Sequence, residues 1–195
     1  METGFLPLIL SINEHGIIEW WVGVSFAVHE DMKIRTGMCM SLGKGTIYAA
    51  SAKQRLNTVS TTESELVGVA DAMPKLVWTR LFMEAQGYNV EDVYVYQDNQ
   101  SAILLEVKRM KPVGKKSRHI SIKYFFVTNR VKNKELNIIY CPTKQMVADL
   151  FTKPLQGVLF ITHRNAVSGI SQDDMPLYRN QYEAYITRRN VANAI

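Results

Sequence analysis

Apolar positions recur along this chain with two different periods, and the switches between them mark its elements. From Ile17 to Val28 the period is two: Ile18, Trp20, Val22, Val24, Phe26 and Val28 fall on one side, and Ile17, Glu19, Trp21, Gly23, Ser25 and Ala27 on the other. That is strand spacing. Gly23 interrupts it, and a glycine inside a strand marks a bulge or the close approach of another group. The runs from Thr36 to Leu42 and from Thr46 to Ser51 flank Gly43-Lys44-Gly45, which suits a tight hairpin. Three antiparallel strands are therefore expected first.

The period then lengthens. Ser60, Thr61 and Thr62 offer N-caps to a helix carrying Leu66, Val69, Ala70 and Met73 at helical spacing, and Pro74 breaks or kinks it. A second helix is expected from Leu76 to Gln86, with Trp78, Leu81, Phe82 and Ala85 as its apolar stripe and Gly87 as its stop. Val93 to Gln97 alternates as a strand, and Asp98 ends it ahead of a helix from Asn99 to about Val107. Ile120 to Val131 reads as a basic amphipathic helix with Tyr124, Phe125 and Phe126 on its buried stripe. Leu136 to Tyr140 is a last strand; Pro142 ends it, and Thr143 is placed to cap a short helix through Met146, Val147 and Leu150. The order βββαβαβα predicts an α/β fold, a mixed five-stranded sheet with helices on both faces. The domain spans 17–155, with 1–16 an N-terminal extension and 156–195 a helical or loose tail.

Composition narrows the class. Of 195 residues, 47% are hydrophobic and 21% charged, which excludes wholesale disorder, and no apolar run reaches the roughly 18 residues of a membrane span. The opening residues lack a basic leader and a small-residue cleavage site. Cys39 and Cys141 are too isolated for a disulfide framework or a zinc site and read as small buried hydrophobes in a reducing compartment. An intracellular location, cytoplasmic or nuclear, is expected. The net charge is +5, and from Val107 to Lys134 the chain carries lysines and arginines with no acidic residue. So one-signed a block favours a polyanionic partner over a merely solvated face.

The candidate chemistry is carboxylate chemistry. Asp98 follows a strand directly, where open α/β sheets keep their sites, although an aspartate there also serves as an N-cap. Glu65 and Asp149 are expected in similarly exposed places on helices. Such a trio suits divalent cations in phosphodiester hydrolysis, and magnesium prefers oxygen ligands.

Several strings sharpen this reading: WWVGVSFAVHEDMK, KQRLNTVSTTESELVGVADAMPKLVWTRLFMEAQGY, YQDNQSAI, KSRHISIKYFFV and YCPTKQMVADLFTKPL. In this order they resemble the ribonuclease H domain that closes the Pol polyproteins of copia-type (LTR) retrotransposons, over roughly residues 6 to 160. The resemblance implies a ribonuclease H-like fold, an RNA–DNA hybrid as partner, no membrane, a larger reverse transcriptase polyprotein as parent, and two Mg2+ ions, with Mn2+ as an alternative. It implies Glu65, Asp98 and Asp149 as metal-binding catalytic carboxylates, with Glu63 solvated in the first turn. Asn99 and Gln100 match positions that contact the minor groove, or else cap a helix. Arg118 and His119 match the family's basic pair, and with Lys115 and Lys116 are expected to touch phosphate. Gly23 stands where the family carries a fourth carboxylate shared by both metals, which implies weak metal occupancy and impaired cleavage. Two other readings stay open: a module that binds without cutting, and a decayed element fragment.

Overall fold

The computed structural model describes residues 6–13, 16–26, 33–108 and 118–171. Its elements are β1 (Ile18–Ser25), β2 (Arg35–Ser41), β3 (Tyr48–Lys53), α1 (Thr61–Ala85), β4 (Val93–Gln97), α2 (Gln100–Lys108), α3 (Arg118–Lys132), β5 (Asn137–Tyr140) and α4 (Gly157–Ser168), with two 3-10 turns at Thr143–Gln145 and Val147–Phe151. One sheet runs in the order β3-β2-β1-β4-β5. The β1–β2 and β2–β3 pairs are antiparallel, and the β1–β4 and β4–β5 pairs parallel. This is the ribonuclease H-like arrangement.

Alternation along β1 divides the core. Ile18, Trp20 and Val22 face α1 and α3 and join Leu66, Val69, Met73, Val95 and Tyr124 in the main cluster. Trp21 and Tyr96 face the other way, stacked at 5.0 Å, and are covered by Cys141, Met146 and Ala148. Both cysteines are buried and free. Backbone bonds from Ile9 N–H to Ser168 O (2.8 Å), Ser11 N–H to Lys44 O (3.1 Å) and Asn13 N–H to Leu42 O (2.7 Å) tie residues 6–13 to the β2–β3 connection and to the end of α4. The expected tail is helical over Gly157–Ser168, and 172–195 lie outside the described residues. Among the described residues no helix is long and apolar enough to cross a membrane.

Three sequence expectations are corrected. Pro74 does not divide two helices: α1 runs unbroken for 25 residues with Pro74 on its exposed side. Burial of both halves against the same sheet face offsets the ~3 kcal/mol that an internal proline costs. The continuous helix keeps one phase across the proline, so Leu76, Thr79 and Met83 extend the buried face of Leu66, Val69 and Met73. Trp78, Leu81 and Phe82 are consequently 54%, 59% and 49% exposed, not a buried stripe. On α3, Ile120, Tyr124 and Val127 point inward while Phe125 is 62% exposed, because consecutive residues on a helix diverge by about 100°. Finally, Thr143 caps no α-helix. Two 3-10 turns replace it, and the Thr143 hydroxyl donates to Asp98 Oδ2 at 3.1 Å.

Candidate functional site

The site begins with a gap in the sheet surface. Gly23 pairs with Gly37 across β1 and β2, and the bare strip they make admits the Val147–Phe151 turn at very short range. A Cβ on Gly37 would lie 2.5 Å from Ala148 O, so a side chain there would lift the turn away. With the glycines in place, Asp149 reaches down to the sheet and is 2% exposed. A Cβ on Gly23 would lie 3.3 Å from Asp149 Oδ1. The interruption at Gly23 thus marks a close approach, and the approaching group is a candidate site residue.

Glu65 comes from the first turns of α1. Ser60 caps that helix by accepting from Glu63 N–H at 3.2 Å, and Glu63 Oε2 accepts from Val59 N–H at 3.1 Å, a reciprocal capping arrangement. Glu63 is therefore buried and structural rather than solvated. Two residues on, Glu65 is 6% exposed and turned toward Gln97 at the end of β4. Glu65 and Asp149 are buried, contrary to the exposed positions expected of them. Asp98 follows Gln97 and is half-buried. It does not cap α2, since Asn99 Oδ1 accepts from Ala102 N–H at 3.0 Å in that role.

Electrostatics ties the three carboxylates to one end of the sheet. The Glu65 carboxyl is pushed up to about 8, first by burial and then by the negative charge of Asp98, with a smaller push from Asp149; Gln97 and Lys153 oppose the rise. Asp149 is raised chiefly by burial, against the pull of Lys153, whose Nζ lies 2.8 Å from Asp149 Oδ2. Glu65 Oε2 and Asp149 Oδ1 are buried without a hydrogen-bond partner. Among the described residues no group of three or more His, Cys, Asp or Glu side chains is disposed to hold a metal ion as it stands.

Four residues here escaped the sequence reading. Lys153 is one, although its i,i+4 spacing from Asp149 was visible. Gln97 is fully buried, and neither amide atom makes a hydrogen bond, although the amide sits beside Glu65. Glu106, on α2, is fully buried with both oxygens unpartnered; burial and then Glu65 push its carboxyl well up. His163, on α4, is buried near Asp149, and burial lowers its pKa against that carboxylate's pull. Of the expected nucleic-acid contacts, Gln100 opens α2 and is exposed, and His119 is exposed near the start of α3. Lys115, Lys116 and the side chain of Arg118 lie outside the described residues.

No protein-family model matches the chain. Over 133 residues it is 30% identical to the retrovirus-related Pol polyprotein from transposon RE2 of Arabidopsis thaliana, a match covering 67% of this chain and 9% of the relative. The Pol polyprotein from transposon TNT 1-94 of Nicotiana tabacum is 27% identical over 124 residues, 64% of this chain and 9% of that protein. The chain is related to the Pol polyproteins of copia-type retrotransposons. It spans 9 to 10% of the length of the plant Pol polyproteins it matches. Among solved structures, LC11-RNase H1 in complex with RNA/DNA hybrid is similar at 14% identity and a TM-score of 0.44, covering 67% of this chain and 87% of that one. Prototype foamy virus protease-reverse transcriptase is similar at 13% identity and a TM-score of 0.44, covering 82% of this chain and 21% of that one.

Proposed function

We propose that this chain is a ribonuclease H-type domain that engages RNA–DNA hybrids and hydrolyses the RNA strand only weakly. The observation that supports this best is the grouping of Glu65, Asp98 and Asp149 at one end of the sheet, mutually repelling and with two oxygens unpartnered. Buried polar atoms are nearly always satisfied, so orphaned carboxylate oxygens under mutual repulsion fit a hard cation. Glu65, Asp98 and Asp149 would hold it, and their all-oxygen donor set suits Mg2+ or Mn2+. A pair of such ions supplies an activated water and a stabilised leaving oxygen.

The chain's own residues set the limits. Gly23 contributes no ligand at the point closest to Asp149, and Lys153 occupies one Asp149 oxygen with a charge of its own. Both features lower the site's affinity for divalent ions. They also favour a second reading, a module that binds hybrids and has ceased to cut. The experiment uses purified chain with end-labelled RNA–DNA hybrid, double-stranded RNA and double-stranded DNA, each in Mg2+, Mn2+ or EDTA. Preferential hybrid binding with slow, metal-dependent cleavage of the RNA strand is expected. Binding without cleavage in either metal selects the second reading, and absence of hybrid binding overturns both.

A further inference from the structure

Behind Glu65 lies a second polar cluster, deeper than the three carboxylates and singled out by no motif. Gln97 and Glu106 are fully buried and Glu65 nearly so. Among them five polar atoms have no hydrogen-bond partner: Glu65 Oε2, both amide atoms of Gln97 and both carboxylate oxygens of Glu106. Buried polar atoms are nearly always satisfied, so five orphans on three adjoining side chains call for a ligand.

Three elements aim these side chains at one place. On β4, Val93 and Val95 belong to the main core cluster, and Gln97 follows at the same spacing of two, so its amide points to the face that α1 covers. Glu65 leaves the early part of α1 with its carboxyl beside that amide. On α2, Ala102 and Glu106 are one turn apart and both fully buried, which makes them one inward stripe. Long side chains on a helix lean toward its N-terminus, so Glu106 leans back toward the end of β4 and comes near enough for the Glu65 charge to act on it. Asp98 and Asp149 act on Glu65 but not on Glu106, so Glu106 lies on the far side of Glu65 from them.

Two carboxylates and an amide in the core are a costly set on their own. Like charges repel, and among the described residues Glu106 has neither a hydrogen bond nor an ion pair. A leucine would pack there without that cost, so packing does not account for the carboxylate. A divalent cation that prefers oxygen does. Both Glu106 oxygens, Glu65 Oε2 and Gln97 Oε1 are free to face it, and water completes the shell of such an ion.

We propose that Glu65, Gln97 and Glu106 form an inner site for a divalent, oxygen-preferring cation, with Glu65 shared between this site and the Asp98–Asp149 pair. It extends the functional reading, on which it rests only for the role of Glu65: Glu106 brings from α2 a carboxylate that Gly23 does not bring from β1.

The test titrates the metal-free full chain with Mn2+, counting free ion by electron paramagnetic resonance, with Mg2+ as competitor. Wild type is compared with Glu106→Gln, Glu106→Leu and Asp149→Asn, and thermal melts in EDTA check that each folds; if Glu106→Leu melts lower than wild type, Glu106→Gln carries the comparison. Asp149→Asn should keep one Mn2+ at close to wild-type affinity, whereas Glu106→Gln should weaken that ion at least about tenfold and Glu106→Leu should abolish it. Binding that survives both Glu106 variants, or that Asp149→Asn removes as completely as they do, overturns the inner site and leaves the functional reading to its own test with hybrids. Absence of Mn2+ binding to wild type overturns it as well, and hybrid binding by the same preparation then shows whether the functional reading stands.

Discussion

Glu65 and Glu106 are the residues on which the chain's stability should hinge. Glu65 is raised to about 8, so its contribution to stability is whole below about 4.5 and is lost as pH climbs through 8, where the unfolded chain alone is free to ionise. Melting temperature should therefore fall between pH 4.5 and 8, and Glu65→Gln should flatten that fall. A wild-type profile that is level over this window would contradict the burial assigned to Glu65. Glu106, fully buried with both oxygens unpartnered, costs stability at neutral pH. Glu106→Leu should raise stability at pH 7 by on the order of 1–3 kcal/mol in chemical denaturation; a loss of that size would mean that a partner satisfies it. Little of this was legible in the sequence. A glutamate on an amphipathic helix reads as solvated, and only the neighbours that tertiary packing brings to it decide otherwise.

Among the elements, α1 shows most clearly what a local pattern can and cannot say. Its N-terminus was legible because Ser60, Thr61 and Thr62 offered N-caps ahead of the helical run, whereas the pairing of Ser60 with Glu63 shows only in the fold; Ser60→Ala should cost about 1 kcal/mol. Its second half was not. A proline invites a break, a break frees the following segment to choose its own phase, and Trp78, Leu81 and Phe82 are its most apolar set. The unbroken helix fixes the phase instead, so Leu81→Gln should change stability by less than about 0.5 kcal/mol while Leu76→Ala should cost about 2–5 kcal/mol. The reverse order in urea denaturation would restore the two-helix reading. The strands were legible almost to their ends because a period of two with one buried face leaves few alternatives. The Val147–Phe151 turn was read as helical because Met146, Val147 and Leu150 fit that spacing, whereas its conformation follows from how closely Gly37 lets it approach.

At the scale of the molecule, the chain joins a ribonuclease H-like sheet to a cluster of three carboxylates that we propose is one ligand short of a metal site. The resemblance located three carboxylates that the structure brings to one end of the sheet, and it located the gap at Gly23. It could not reveal that the gap is the surface on which Asp149 rests, with a Cβ at position 23 only 3.3 Å from Asp149 Oδ1. Gly23→Asp would place a fourth carboxylate there, so the metal-free protein should melt lower than wild type and Mg2+ should more than offset the loss. The most direct measurement is the initial rate of RNA-strand cleavage in an RNA–DNA hybrid by wild type and by Gly23→Asp, side by side in saturating Mg2+. The substitution should raise the rate by a factor of at least roughly a hundred, equivalent to about 2.7 kcal/mol of barrier. Equal rates in the two proteins, both well above the metal-free background, would contradict the claim that the missing carboxylate limits this site.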